Sequence, residues 1–299
     1  MGGQTISIII PTLATSERAP FLRRALESAL AQEQVRAVPI VVANGPSVAP
    51  DLARWLEGRT DIRFEYREEA NLPQGLASGR DLVDTPFFSE LDDDDILMPH
   101  ALISRLKRMD DDEAVDAVIS NGFIEKEGGR VISRSHFSEC HNDPLRRILD
   151  GHWLHPGAGL FRTSAMSRDF FASMPQYLEW TYLALRLALE RRIAFIDNPS
   201  FVHYTDHPFG IWRSRAATLG LPRALEQILS LDLPTDVRLV YEGHLSEACQ
   251  MVSKLRLEEK DVPSAWEWQV KSLRHGFDRK SLPYMASLLM RLVASRWLY

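Results

Sequence analysis

Residues 86–97 read PFFSELDDDDIL, a short apolar run followed at once by four consecutive aspartates. The apolar part predicts a buried strand that ends where the carboxylates begin. Similar strand patterns occupy 6–10, 38–43 and 62–66, and helical patterns between and after them occupy 21–31, 52–56 and 75–83. This alternation predicts an α/β fold, an open and mostly parallel sheet flanked by helices, with ligands bound at the carboxyl ends of the strands.

The four aspartates predict a metal site. Alternate residues of an extended chain project to the same side, so Asp92 and Asp94 are expected to converge while Asp93 and Asp95 point elsewhere. Converging carboxylates repel each other unless a cation lies between them, and hard oxygen ligands select Mg²⁺ or Mn²⁺. The alternative is a solvated acidic loop, which is our interpretation of Asp110–Glu113 at the end of a helix. The preceding apolar strand favours the metal site.

Beyond residue 99 the pattern is mixed at first and then helical. Helices are predicted at 101–109 and 178–191, strands at 117–120, 193–196 and 201–204, a hairpin around Gly128-Gly129, and irregular structure at 160–161. The last part of the chain shows helical signals alone, at 222–231, 236–258, 262–275 and 281–298. We therefore expect a catalytic domain over 1–214 and an α-helical C-terminal extension over 215–299.

The composition is that of a globular enzyme. Of the 299 residues 45% are hydrophobic, and the formal net charge of −6 offers no basic field to a nucleic acid. Cys140 and Cys249 lie far apart in the sequence, which favours a reducing compartment and predicts a cytoplasmic protein. The sequence contains no apolar run of membrane-spanning length, and it lacks the glycine motifs of dinucleotide-dependent dehydrogenases and P-loop enzymes.

Five segments occur in the order and spacing of family 2 glycosyltransferases. They read ISIIIPT (6–12), VVANGPS (41–47), NLPQGLASGRD (71–81), FFSELDDDDIL (87–97) and YLEWTYLALRLA (177–188). Together they make the chain resemble that family over most of the region from residue 5 to residue 210. The resemblance implies the GT-A fold, a nucleotide-diphosphate-sugar donor, an Asp-x-Asp metal motif and inversion at the anomeric carbon.

The resemblance also implies a donor site and a metal site. The residues expected to bind the nucleotide-sugar are Pro11, Thr12, Asn44, Asn71, Gly75, Arg80, Asp92 and Asp93. Asn44 stands where the family usually has an aspartate that reads the base, so GDP and dTDP stay open beside the common UDP. Without the resemblance, Asn44-Gly45 reads as a turn and Arg80 as a surface arginine. The implied metal ligands are Asp92 and Asp94, with Asp95 as a candidate helper, and a late histidine, for which we choose His207 over His203.

Glu179 aligns with the acidic residue that serves as general base in the family. A carboxylate in that role takes the proton of the acceptor hydroxyl during attack on the sugar. Without the resemblance, Glu179 reads as a first-turn glutamate favoured by the helix dipole. Trp153, His155 and Trp180 are expected on the acceptor side, where an aromatic ring can stack on a sugar, and a core position is the alternative for Trp153.

The helical tail contains a basic amphipathic segment at 279–296. We interpret its apolar face as packing against the catalytic domain or against a second copy of the chain in a homodimer. Peripheral contact with the inner face of a membrane is the alternative, because basic amphipathic helices also bind anionic lipid surfaces.

The sequence thus predicts a metal-dependent glycosyltransferase. It would move a sugar from a nucleotide-diphosphate-sugar to a saccharide or lipid-linked acceptor in polysaccharide or glycan assembly. A non-catalytic sugar-nucleotide-binding or scaffold protein of the same fold is the second hypothesis, motivated by the unusual Asn44 and Asp81. A nucleotidyltransferase is the third, although the sequence lacks the early glycine-rich, lysine-bearing loop expected of one.

Overall fold

The structure is a computed structural model that describes residues 3–127, 129–205, 214–276 and 282–296. The chain divides into two compact units. The first unit takes residues 1–174 and 179–208, and the second takes residues 175–178 and 209–299.

A seven-stranded sheet forms the centre of the first unit. Its strands are β1 (Thr5–Thr12), β2 (Arg36–Asn44), β3 (Arg63–Arg67), β4 (Phe87–Glu90), β6 (Ala117–Ser120), β9 (Gly159–Arg162) and β10 (Ile193–Ile196). Their order is β10-β6-β9-β4-β1-β2-β3, and the pairs are parallel except where β9 meets β4 and β6. Parallel pairing brings the carboxyl ends of β1, β2 and β4 to one edge of the sheet.

A second, four-stranded sheet begins directly after the aspartates. Its strands are β5 (Ile96–Leu97), β7 (Phe123–Lys126), β8 (Gly129–Ile132) and β11 (Phe201–Tyr204). They lie in the order β5-β11-β7-β8, with β11 antiparallel to β5. The second sheet therefore carries the late histidine segment back to the end of the acidic run.

Helices flank the first sheet. They are α1 (Ala19–Leu30), α2 (Pro50–Glu57), α3 (Leu72–Asp81), α4 (Ala101–Asp110), α5 (Pro144–Arg147), α6 (Asp169–Ala172) and α7 (Glu179–Glu190), with a 3₁₀ helix at Phe137–His141. The helix predicted from residue 75 begins earlier, at Leu72, because the Asn71 side chain accepts a hydrogen bond from Gln74 N at 3.1 Å. The predicted mostly parallel sheet flanked by helices is confirmed.

The expectation of irregular structure at 160–161 is wrong. These residues belong to β9, which lies between β4 and β6 and runs antiparallel to both. The strand is short, and Phe161 packs against Phe88 of β4 with ring centroids 5.4 Å apart. Its sequence is GLFR, so Leu160 and Phe161 are the whole of its bulky apolar run, and its partners come from distant parts of the chain.

The second unit contains α8 (Arg215–Leu229), α9 (Thr235–Glu258), α10 (Val262–His275) and α11 (Leu282–Arg296). The helix predicted from residue 222 begins at Arg215, because Ser214 caps it and Pro222 lies inside it. Small side chains allow α9 and α10 to approach closely, and Ser253 Oγ donates to the Ala265 carbonyl at 2.6 Å. In the described ranges, no helix combines the length and apolar character needed to cross a bilayer.

Gly79 tests the packing of α3 on the first sheet. A Cβ at this position would overlap Ile9 Cγ2 of β1. We expect Gly79→Ala to lower the free energy of unfolding by about 1–3 kcal/mol, because the core has no space for the methyl group. Gly243→Ala in α9 is the matched control, since a Cβ there meets nothing within 4 Å. It should instead stabilise α9 by about 0.5–1 kcal/mol, and equal effects in urea unfolding would contradict the packing argument.

Candidate active site

The aspartates after β4 form a carboxylate cluster. Asp92, Asp94 and Asp95 each offer an oxygen, and these oxygens all lie within 4.8 Å of one another. Burial and the neighbouring carboxylates raise the pKa of Asp92 well above its usual value. Bringing the three carboxylates together without a counter-ion therefore carries an electrostatic cost, and that cost is what a bound cation would remove.

Asp93 lies apart from the cluster. It is 2% exposed, accepts a hydrogen bond from Thr12 Oγ1, and pairs with Arg18 through the guanidinium Nε at 2.8 Å and Nη2. The same Nη2 donates to Asp94 at 3.0 Å. Arg18 thus neutralises one aspartate of the run and restrains the next, a role that nothing in the sequence pattern indicated.

The expectation that Asp95 points away from Asp92 and Asp94 is wrong. Asp95 is fully buried, accepts a backbone hydrogen bond from Tyr204 at 3.0 Å, and lies 2.9 Å from His203 Nδ1. The reason is the turn after β4, in which Asp95 N donates to the Asp92 carbonyl at 3.2 Å and ends the extended alternation. His203 is the late histidine that reaches the aspartates in the described chain, whereas His207 lies outside the described residues.

A second arginine supports the same turn. Arg24 of α1 donates through Nη2 to the Asp94 carbonyl at 2.7 Å, and its guanidinium lies 3.9 Å from the centre of the Tyr204 ring. Arg18 and Arg24 therefore fix the acidic turn from the start of α1. In the sequence Arg24 is a polar residue of an amphipathic helix and Arg18 lies just before that helix, so only the three-dimensional structure reveals their contacts.

The donor set fits a divalent cation. Asp92, Asp94 and Asp95 supply hard carboxylate oxygens, as Mg²⁺ and Mn²⁺ prefer, and their negative charge exceeds what Arg18 and His203 compensate. These three residues would hold the ion, which would bring positive charge to the edge of the sheet.

The other expected nucleotide residues lie around the ends of β1 and β2. Pro11 and Thr12 end β1, and both are buried. Asn44 ends β2, and its Nδ2 donates to the Val42 carbonyl at 3.1 Å. Asn44 Oδ1 is buried and has no hydrogen-bond partner among the described residues. Gly75 packs directly on this amide, so a Cβ at position 75 would overlap the Asn44 side chain.

Arg80 and Asn71 make contacts within the protein. Asn71 caps α3, as described above. The Arg80 guanidinium donates to the carbonyls of Thr163 and Met166, both at 2.7 Å, and lies 5.3 Å from the centre of the Phe88 ring. Arg80 therefore ties α3 to the segment that follows β9.

Of the residues expected to act in catalysis or to contact the acceptor, two begin α7, one belongs to the core and one lies beside His203. Glu179 and Trp180 begin α7, and both are partly exposed. Trp153 is 1% exposed, donates from Nε1 to the Pro144 carbonyl at 2.9 Å, and packs edge-on against Phe195, so it forms part of the core. His155 lies beside His203, with ring centroids 5.8 Å apart. His203 in turn contacts Asp95, so it links His155 to the cluster.

The sequence comparisons place the chain in a family. The model for glycosyl transferase family 2 matches residues 7–172, more than half of the chain. This chain belongs to that family, and it is a family 2 glycosyltransferase. The match covers the acidic cluster and the edge of the sheet on which it lies. A comparison with curated protein sequences gives no significant match.

Solved structures show the same fold. S. aureus TarS 1-349 in complex with UDP-GlcNAc is similar over 92% of this chain and 93% of that chain, with 14% sequence identity and a TM-score of 0.61. Another structure of S. aureus TarS covers 97% of this chain and 54% of that chain, at 15% identity and a TM-score of 0.62. The TarS 1-349 complex with UDP has a TM-score of 0.53 at 15% identity, covering 92% and 93% of the two chains.

Two ionisable side chains, Glu90 at the end of β4 and Arg105 of α4, are buried in the first unit. Glu90 is 2% exposed, its Oε1 has no hydrogen-bond partner within the described ranges, and burial raises its pKa to about 8, against the opposing effect of Arg105. Arg105 is fully buried and donates to Ser120 Oγ at 3.0 Å and Ser200 Oγ at 2.7 Å. The pair joins β4, β6 and the segment before β11.

Glu90 predicts a pH-dependent stability. The folded carboxyl keeps its proton up to about pH 8, whereas the unfolded one releases it near 4.5, so ionisation favours unfolding as pH rises between these values. Glu90→Gln should therefore gain stability relative to the native protein across this window, by at most about 5 kcal/mol at about 1.4 kcal/mol per pKa unit. Urea unfolding at pH 5 and pH 8 measures the gain. Glu113→Gln, at an exposed site, is the control, and equal pH dependence of Glu90→Gln and the native protein would contradict the argument.

Proposed function

We propose that this glycosyltransferase moves a sugar from a nucleotide-diphosphate-sugar to an acceptor hydroxyl, with inversion at the anomeric carbon, during polysaccharide or glycan assembly. The observation that carries the proposal is the convergence of Asp92, Asp94 and Asp95 at the edge of the sheet where β1 and β2 also end. In parallel α/β sheets this edge is where ligands bind.

The carboxylate cluster is proposed to bind Mn²⁺ or Mg²⁺ and, through it, the donor diphosphate. The bound cation supplies positive charge that stabilises the diphosphate of the departing nucleotide. Arg18 and Arg24 hold the acidic turn in shape, and His203 orients Asp95 through Nδ1. His203 is thus proposed to support a metal ligand rather than to be one, and His207 as a metal ligand stays a prediction from the sequence.

The donor is proposed to carry uracil, guanine or thymine. UDP-GlcNAc and UDP are the ligands in the TarS complexes of similar fold. Asn44 Nδ2 is turned toward the Val42 carbonyl, which leaves Oδ1 as an acceptor without a partner in the described chain. The ring N–H of uracil, guanine or thymine would satisfy this oxygen, whereas cytosine and adenine present a bare ring nitrogen at the equivalent position.

Glu179 is proposed as the general base. Its carboxylate takes the proton of the acceptor hydroxyl as the oxygen attacks the anomeric carbon from the face opposite the leaving diphosphate. The position at the start of α7 supports this role, because the helix holds the carboxylate on a rigid element.

Metal-dependent nucleotide binding is the first test. Titration calorimetry with UDP, GDP, dTDP, CDP and ADP should show binding of the first three in the presence of Mn²⁺ and little without it. Asp94→Asn should weaken Mn²⁺-dependent binding at least tenfold, because a charged ligand contributes about 1.5 kcal/mol or more. Asp111→Asn, in the exposed acidic run after α4, is the matched control and should bind like the native protein. Equal binding by both variants would contradict the metal site.

If Glu179 is the general base, its substitution should slow turnover without weakening nucleotide binding. With a panel of nucleotide-sugars including UDP-GlcNAc, Glu179→Gln should slow Mn²⁺-dependent release of the nucleotide by about 100-fold or more. Its nucleotide affinity should stay within twofold of the native value. Glu190→Gln, at the other end of α7, should leave both unchanged. Undiminished turnover by Glu179→Gln would contradict its role as general base. Absence of turnover in the native protein with every donor would favour a non-catalytic binding protein.

A further inference from the structure

The end of β3 places an arginine next to Asn44. Arg67 is the last residue of β3, and it is paired in register with Asn44, the last residue of the parallel strand β2. Gly45 N donates to the Arg67 carbonyl at 2.9 Å, which fixes the turn after β2 to the end of β3. Residues paired in this way project their side chains to the same face of a sheet. The Arg67 and Asn44 side chains therefore share one face at the carboxyl edge.

Helix α3 contacts both of these side chains. Gly75 packs on the Asn44 amide, and Ser78 accepts a hydrogen bond from Arg67 Nη1 at 2.6 Å. Gly75 and Ser78 are three residues apart, so they lie on the same face of the helix. Ser78 is 5% exposed, and its hydroxyl holds the partly exposed guanidinium against α3. One rigid helix thus sets the positions of both the amide and the guanidinium.

The Arg67 guanidinium keeps unused hydrogen-bond donors. Within the described ranges, the bond to Ser78 is the one side-chain hydrogen bond that Arg67 makes, and no described carboxylate forms an ion pair with it. Its Nε is buried and has no partner in the described part of the chain. Arg18 and Arg24, by contrast, are bonded to the acidic turn. Since a guanidinium has five N–H donors and no acceptor, Arg67 is suited to an oxygen atom supplied by a ligand.

The sheet order separates Arg67 from the carboxylate cluster. The strands run in the order β4-β1-β2-β3, so the end of β3 is three strands away from the end of β4, where the aspartates begin. At about 4.8 Å per strand, the two ends are about 14 Å apart. A diphosphate bound at the cluster would lie beyond the reach of Arg67. The base is at the opposite end of a nucleotide from the diphosphate, which makes it the part that Arg67 can contact.

We propose that Arg67 recognises the donor base by donating a hydrogen bond to the carbonyl oxygen next to the ring N–H that Asn44 Oδ1 accepts. The inference rests on the proposed function, which places the base at the end of β2. Uracil, thymine and guanine each present a ring N–H beside a carbonyl, whereas adenine has no carbonyl and would leave the guanidinium unpaired. Arg67 is thus a specificity-determining residue, and it lies outside the set of nucleotide-binding residues that the family resemblance implied.

Thio-substituted nucleotides test this contact by titration calorimetry on the full chain with Mn²⁺ present. The probes are UDP, 2-thio-UDP and 4-thio-UDP. Because sulfur is a weak acceptor, the native protein should bind one of the two analogues about fivefold more weakly than UDP. Arg67→Met removes every donor and should bind UDP about tenfold more weakly than the native protein does. It should also bind UDP and that analogue equally. Arg63→Met, at the other end of β3, is the matched control and should bind all three like the native protein.

If Arg67 only supported α3 through Ser78, or contacted phosphate, Arg67→Met would weaken all three nucleotides by the same factor and would keep the preference for oxygen over sulfur. That result would overturn the inference, as would native affinity in Arg67→Met or equal binding of the three probes by the native protein. Arg67→Leu is the second variant if Arg67→Met does not fold.

The same titrations separate this inference from the proposed donor site. If the native protein binds GDP in place of UDP, GDP and 6-thio-GDP form the equivalent pair of probes, because guanine also has a carbonyl beside its ring N–H. Native affinity in Arg67→Met, with binding still dependent on Mn²⁺, would count against Arg67 alone. Absence of Mn²⁺-dependent binding of every nucleotide by the native protein would remove the proposed donor site and this inference with it.

Discussion

Four aspartates in succession repel one another. The neighbouring side chains at the edge of the first sheet, where β1, β2 and β4 end, are arranged so that this repulsion is balanced. Asp93 is withdrawn from the others and neutralised by Arg18, and Asp95 is held by His203 and the Tyr204 backbone. The remaining imbalance is concentrated where Asp92, Asp94 and Asp95 converge. The four aspartates are therefore chemically different from one another, because each carboxylate has different neighbours.

The balance requires parts of the chain that are distant in sequence. Arg18 and Arg24 come from the start of α1, while His203 comes from β11, which pairs with β5 just after the aspartates. The second sheet is therefore more than an appendage to the first, since its strand β11 holds Asp95 through His203 and the Tyr204 backbone. Close to the turn in the sequence, Glu90 ends β4 as a buried carboxyl, and buried Arg105 joins α4 to β6 through Ser120.

The sequence predicted those features that depend on local pattern. The strands at 117–120, 193–196 and 201–204 have the observed bounds, because short β-branched and aromatic runs with clear ends carry enough signal. It missed β9, and alternation placed Asp95 away from the cluster although the family resemblance offered it as a helper, since both features depend on tertiary contacts and a turn. The nearness of Asp92 and Asp94 follows from simple alternation. Arg18, just before an amphipathic helix, and Arg24, within it, look ordinary in the sequence until the fold brings them to the acidic turn.

The position of β9 has a consequence for how such an enzyme can change. The chain leaves the first sheet after Ser120 and forms the β7–β8 hairpin, the 3₁₀ helix and α5. It re-enters the first sheet at Gly159, between β4 and β6. Insertions or deletions between β8 and β9 leave the register of β1, β2 and β4 unchanged, whereas changes in β7 would reach the acidic turn through β11. The segment between β8 and β9 can therefore change in length and sequence while the half of the first sheet that contains β1, β2 and β4 stays constant.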